Sequence, residues 1–360
     1  MVYKSTELEI NKLLTLMLQR NASDLHLVSG KPPTIRVDSG LIELKDFEVI
    51  SGNTIASMVD VILETDEKRK EFRDNKELDF SFAFKDNIRF RVNAYYQKGF
   101  AAAALRLIPN KIKTVEELYL PQQLKNLVNH KQGLILMVGP TGHGKSTTQA
   151  ALIDLINKTR AENIVTIEDP IEYIYVQDKS LVNQREVGTD TRSFGNALRS
   201  VLREDANVVL VGEMRDLESI STTITLAETG HLVLATLHTN NASQTIDRII
   251  DVFPAYQQNQ VRIQLASILI CVLSQRLMPK IGGGRIPAVE IMMNNNAVSN
   301  VIRENKTYEL PNIINTSQAS GMNSMDHSLA ALVRNNLARL EDVNLFVTDI
   351  DLFQGLLKRP

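Results

Sequence analysis

Apolar and polar positions along this chain follow two different rhythms. From about residue 5 to residue 20, Leu8, Ile10, Leu13, Leu14, Leu16 and Met17 recur at helical spacing and predict an amphipathic helix. "SDLHLVSGKPPTIRVDSGLIEL" then reads as two short strands, interrupted at Gly30, Pro32 and Pro33 and turning at "DSG". "SGNTIASMVDVIL" returns to the helical period. "LDFSFAFKDNIRFRVNAYYQKG" alternates and turns like a hairpin, and "AAAALRLIP" closes the set as a strand. These elements predict a small α+β domain over residues 1–109. The stretch "NKIKTVEELYLPQQL" reads as a linker, placed at 110–118. Thr114 and Glu117 have the spacing of a capping box, so a helix is expected just beyond the join.

From about Gly133 the rhythm changes. Short apolar strands alternate with longer helical stretches, as in a parallel sheet with helices on both faces. One more strand, "IPAVEIMM", follows "IGGGR". The expected extents are 119–293 for this α/β domain and 294–360 for a C-terminal region of short helices. The fold class expected is α/β.

Composition narrows the function classes. Lys plus Arg (40) nearly balance Asp plus Glu (42), so a nucleic-acid partner is not expected. The single cysteine, Cys271, excludes an intrachain disulfide and a cysteine-rich zinc module. Its setting, "LASILICVL", reads as a buried helix around an inert core thiol. No apolar run approaches the roughly 20 residues of a membrane span, and the charged N-terminal stretch resembles no signal peptide. A cytoplasmic protein is expected.

The stretch "GPTGHGKSTT" carries the chemistry. Gly139, Gly144, Lys145 and Ser146 fit the P-loop pattern, preceded by the apolar strand "GLILMVG" and followed by the helical "STTQAALIDLIN". Glycines let backbone N–H groups curl around phosphate oxygens, and the helix N-terminus adds partial positive charge. Lys145 is expected on the β- and γ-phosphates of ATP and Ser146 on Mg²⁺. The expected nucleotide contacts are Gly139, Thr141, Gly142, His143, Gly144, Lys145, Ser146 and Thr147. The His143 backbone belongs to the cradle, while its side chain is expected to point outward or across a subunit boundary.

Three further strands end in polar groups. Glu168 and Asp169 follow "NIVTI", Glu213 follows "NVVLVG", and His238 follows "HLVLATL". Ligands of open parallel sheets bind outside the carboxyl ends of the strands. Glu168 and Glu213 are therefore candidates for orienting the attacking water, and Glu213 for Mg²⁺; their division of duty stays open. His238 is a candidate γ-phosphate sensor and His231 a second nucleotide contact. Phosphoryl transfer also calls for a cation on the developing charge. Arg89 and Arg91 should share one strand face, and Arg106 lies in the next strand.

Taken together these motifs resemble the secretion-type ATPases, within them the PilT-type retraction motors of type IV pili, over nearly the whole chain. "GPTGHGKSTT" looks like the family's Walker A, "TIEDPIE" its Asp box, "VLVGEMRD" its Walker B and "AETGHLVLATLHTNNA" its His box. The family usually has Ser at the position of His143, and its "AIRNLIRE" motif reads "AVSNVIRE" here, with Ser299 in place of an arginine. The resemblance implies a PAS-like N-terminal domain, a RecA-like P-loop core and a homohexamer with ATP between domains. It makes Arg91 and Arg106 the arginines that reach the nucleotide. It further implies ATP-driven pilus retraction against a platform protein of the inner membrane, the motor lying on that membrane's cytoplasmic face, with a second retraction ATPase as a further partner. An accessory PilU-like or nucleotide-gated scaffold role, and an assembly or type II secretion role, stay open as alternatives.

Overall fold

In the computed structural model, described for residues 2–37, 40–85, 88–108 and 111–358, the chain divides into two compact units. These are Met1–Lys111 with Glu172–Ile174, and Ile112–Ile171 with Tyr175–Pro360.

The first unit begins with α1 (Val2–Gln19), whose Ile10, Leu13, Leu14 and Met17 are fully buried. Strands β1 (Asp24–Leu27), β2 (Thr34–Val37) and β3 (Gly40–Glu43) follow, then α2 (Gly52–Ile62), α3 (Asp66–Asn75), β4 (Glu77–Phe84), β5 (Ile88–Gln97) and β6 (Phe100–Ile108). They form a six-stranded sheet in the order β3-β2-β1-β6-β5-β4, antiparallel at every pairing. Phe80, Phe82, Phe90, Val92 and Leu105 line its apolar face and share one core with α1 and α2. Two details depart from expectation. The segment after α1 forms three strands rather than two; Asp38 and Ser39 of the expected turn lie outside the described residues. Helix α3 carried no apolar signal, because it buries only Phe72. It rests instead on its cap, where Thr65 Oγ1 accepts the Lys68 N–H at 3.3 Å.

The join also differs. The capping box closes, with the Thr114 N–H on Glu117 Oε2 at 2.8 Å and the Glu117 N–H on Thr114 Oγ1 at 3.3 Å. No α-helix grows from it. Tyr119 takes a positive φ of 57°, Pro121 follows, and the chain continues as a 3₁₀ helix, Gln122–Asn129.

The second unit runs β7 (Gly133–Val138), α4 (Lys145–Thr159), β8 (Asn163–Glu168), β9 (Leu181–Glu186), α5 (Phe194–Val201), β10 (Val208–Val211), α6 (Leu217–Glu228), β11 (Leu232–Leu237), α7 (Ala242–Asp251), α8 (Ala255–Ile268), β12 (Leu269–Pro279) and β13 (Arg285–Met293). The sheet order is β13-β12-β7-β11-β10-β8-β9. All pairings are parallel except β12 with β13. Every residue of β7, β10 and β11 is buried, as expected of strands covered on both faces. Cys271 lies in β12, not in a helix: α8 ends at Ile268 and the apolar run continues as strand. Its thiol is fully buried, and burial pushes its pKa up to about 12.

Short helices α9 (Asn296–Arg303), α10 (Leu310–Thr316), α11 (Met325–Arg334), α12 (Leu340–Val343) and α13 (Ile350–Leu357) complete the chain. Val298, Val301, Ile302, Leu310 and Ile314 extend the main core of the second unit. A smaller core joins Met278, Ile286 and Ala288 of β12 and β13 to Leu329 and Phe353. Among the described residues no helix is long and apolar enough to cross a membrane.

Candidate functional site

The loop between β7 and α4 is shaped as much by strand β12 as by its own glycines. Gly139 has φ +142°, and a Cβ there would stand 2.4 Å from the Gln275 carbonyl oxygen. Gly144, the N-cap of α4, has φ +86°, and its Cβ would meet Gln275 Nε2 at 2.7 Å. Both positions need glycine because β12 presses against the loop from below.

Lys145, the first residue of α4, is buried. Its Nζ donates to the carbonyls of Gly139 (2.9 Å) and Pro140 (3.0 Å) and lies 3.4 Å from His238 Nδ1. The same imidazole nitrogen is 3.3 Å from Thr141 Oγ1. On its other side, His238 Nε2 is 3.0 Å from Glu213 Oε1, and Glu213 Oε2 is 3.0 Å from Arg215 Nη2. A continuous polar chain therefore runs across the carboxyl ends of β7, β11 and β10. Burial works to raise the Glu213 carboxyl, but the hydrogen bond from Arg215 and the facing His238 outweigh it and hold the group below the usual range. Glu213 is thus an ionised carboxylate at the mouth of the loop.

Glu168 ends β8, which pairs in register with β10. The Gly212 N–H donates to the Ile167 carbonyl at 2.9 Å, and a Cβ on Gly212 would come within 3.3 Å of Glu168 Cα. Two carboxylates so stand at the tips of adjacent strands. Glu168 Oε1 accepts from Thr166 Oγ1 at 2.7 Å, a bond within its own strand.

His231 does not join this cluster. It precedes β11, where its carbonyl accepts the Gly133 N–H at 3.0 Å and its Nδ1 lies 2.9 Å from the Leu226 carbonyl. The strand between His231 and His238 spans roughly 20 Å at about 3.3 Å per residue. Residues flanking one parallel strand go to opposite edges of the sheet, which corrects the expectation that His231 contacts nucleotide on this loop.

The expected outward ring of His143 is also corrected. Its Nδ1 accepts the Leu277 N–H at 3.0 Å, and its carbonyl accepts Gln275 Nε2 at 2.9 Å. Gln275 is itself fixed by Thr148 Oγ1, which donates to Oε1 at 2.7 Å. Sequence reading missed Gln275 and Leu277. A usable signal existed for one: a glutamine inside the apolar run of β12 must find hydrogen-bond partners.

In the first unit, Arg91 and Arg106 stand opposite each other on β5 and β6. Arg106 Nε donates to Asp24 Oδ1 at 2.8 Å, and Arg36 Nε is 3.7 Å from Oδ2. A row Ser81, Arg91, Arg106, Asp24, Arg36 thus crosses the sheet.

The loop can hold a phosphate chain on backbone amides and the N-terminus of α4. Among the described residues no group of three or more His, Cys, Asp or Glu could hold a metal by itself. The donor set of Ser146 and Glu213 fits a hard cation that shares its shell with phosphates and water.

Comparison with known proteins agrees with this chemistry. The sequence profile described as "Type II/IV secretion system protein" matches residues 4–283. The type IV pilus retraction ATPase PilT of Pseudomonas aeruginosa is 46% identical, over 93% of this chain and 97% of that protein. A twitching motility protein of Neisseria gonorrhoeae is 46% identical, over 85% of this chain and 81% of its own length. The crystal structure of the pilus retraction motor PilT with bound ADP superposes with a TM-score of 0.90 at 46% identity, covering 96% of this chain and 99% of that one.

Proposed function

This chain belongs to the type II/IV secretion system protein family, and from that premise we propose that it is an ATPase whose turnover powers type IV pilus retraction and twitching motility. The observation that carries the reading is the polar chain from Lys145 through His238 to Glu213 at the ends of three strands. A P-loop lysine to bind the phosphates and an ionised carboxylate to position water are parts that ATP hydrolysis uses, and the histidine between them links the two.

The residues divide the work as follows. Backbone N–H groups of the loop between β7 and α4, Pro140 excepted, and the N-terminus of α4 bind the phosphates. Lys145 exchanges the carbonyls of Gly139 and Pro140 for the β- and γ-phosphate oxygens. Glu213, held ionised, orients the attacking water and accepts its proton at Oε1 or Oε2, and Glu168 supports it from the neighbouring strand tip. His238 reports the γ-phosphate to Glu213, since one ring nitrogen faces the loop and the other the carboxylate. Ser146 and Glu213 would hold Mg²⁺, which when bound neutralises charge developing on the phosphates. Arg91 and Arg106 are the candidates for further positive charge on the transition state. Phosphates bound and released change which conformation is favoured. In a homohexamer that change moves neighbouring subunits and works against a platform protein at the cytoplasmic face of the inner membrane.

Phosphate release by the purified full chain tests the reading. Lys145→Ala should lower turnover by about a thousandfold or more, since it removes the principal side-chain cation on the transferring group. Wild-type turnover in that variant would refute the site. A solution mass of six chains in the presence of ATP is the expected assembly.

A further inference from the structure

The P-loop is fastened to β12 at two points of one residue. The carbonyl of His143 takes the Gln275 side-chain N–H (2.9 Å), and its ring takes the Leu277 backbone N–H (3.0 Å). Gln275 cannot turn its amide over, because Oε1 is held by the Thr148 hydroxyl of α4. Arg285 Nη1, from the start of β13, reaches the neighbouring Gly142 carbonyl at 3.4 Å. The Leu277 bond needs an unprotonated Nδ1, so the ring carries its proton on Nε2.

We infer that His143 is a positioning residue for the nucleotide: its neutral ring pins the P-loop onto β12 in the phosphate-binding shape, and protonation at Nδ1 unpins it. The inference rests on the ATP-binding reading above and adds a pH-sensing element to it. The charged groups that face the ring are cations: Arg276 from β12, Lys145 from α4 and Arg285 from β13. Burial first, and then these three, hold His143 below the usual histidine range. The sign follows. At neutral pH the ring is uncharged and the clamp is closed. As pH falls through the lowered pKa, Nδ1 gains a proton, the Leu277 N–H loses its acceptor, and the clamp opens. A serine here has no ring to reach Leu277 and does not titrate in this range, so the clamp is a property of this chain's histidine.

The test is titration of the full chain with a fluorescent ATP analogue and Mg²⁺ from about pH 8 to about pH 5. His143→Ala should bind about fivefold to tenfold more weakly at pH 8, the loss expected for one buried hydrogen bond. His143→Asn places an untitratable amide oxygen near the position of Nδ1. It should recover most of that loss and remove the component of the acid fall-off that tracks one proton in the wild type. Should His143→Ala unfold, the pH profile of His143→Asn decides alone. Wild-type affinity with a wild-type pH profile in these variants would overturn the clamp while leaving ATP binding intact. Absence of analogue binding by the wild type, matched by Lys145→Ala, would overturn the ATP-binding reading itself.

Discussion

The two ends of β11 carry one histidine each, and the sheet gives them opposite fates. His238 leaves the carboxyl end and sits between Lys145 and Glu213, with both ring nitrogens engaged by side chains of the phosphate loop and the next strand. His231 enters at the amino end, where its ring turns to the Leu226 carbonyl and Thr229 Oγ1 and helps finish the turn after α6. Both belong to the same sequence motif. What separates them is strand direction: a parallel sheet gathers everything that follows its strands at one edge and everything that precedes them at the other.

Three substitutions press on this comparison. Glu213→Gln keeps the shape of the polar chain and removes its charge, so hydrolysis should fall by about a hundredfold to a thousandfold with nucleotide still bound. A variant that loses binding as severely as turnover would move Glu213 from water activation to ligand retention. His238→Ala breaks the link between loop and carboxylate, and turnover should drop by about tenfold to a hundredfold, read as phosphate release at saturating ATP. His231→Ala should leave turnover within about twofold of wild type and cost about 1 kcal/mol in thermal or denaturant unfolding, as the Leu226 carbonyl loses a partner. Equal damage to hydrolysis from the two histidine variants would show that the opposite edge of the sheet is coupled to catalysis, and the contrast would fail.

The parallel sheet was legible because strands buried on both faces must be apolar almost throughout, and "GLILMV", "VVLV" and, but for Thr236, "LVLATL" are. The loop was legible because its glycines and lysine stand at fixed spacing. Helix α3 was not legible, since a helix that buries one phenylalanine has no apolar stripe to read. The 3₁₀ turn at Gln122–Asn129 was missed because a capping box states where a helix can begin and says nothing of Tyr119 and Pro121 stopping it. The clamp on His143 was hidden for a different reason. Its partner Gln275 lies 132 residues away in sequence, and only the strand order, with β12 beside β7, brings the two together.

That adjacency has a mechanical meaning. Strand β12 touches the phosphate loop at Gln275 and Leu277, and one residue further on Met278 lies in the small core with Ile286, Leu329 and Phe353. The strand is a stiff rod with the nucleotide loop riding on it and the C-terminal helices bolted to its tip. A close-packed interior passes a small displacement on rather than absorbing it, so any displacement of the loop would reach those helices along a few residues of backbone.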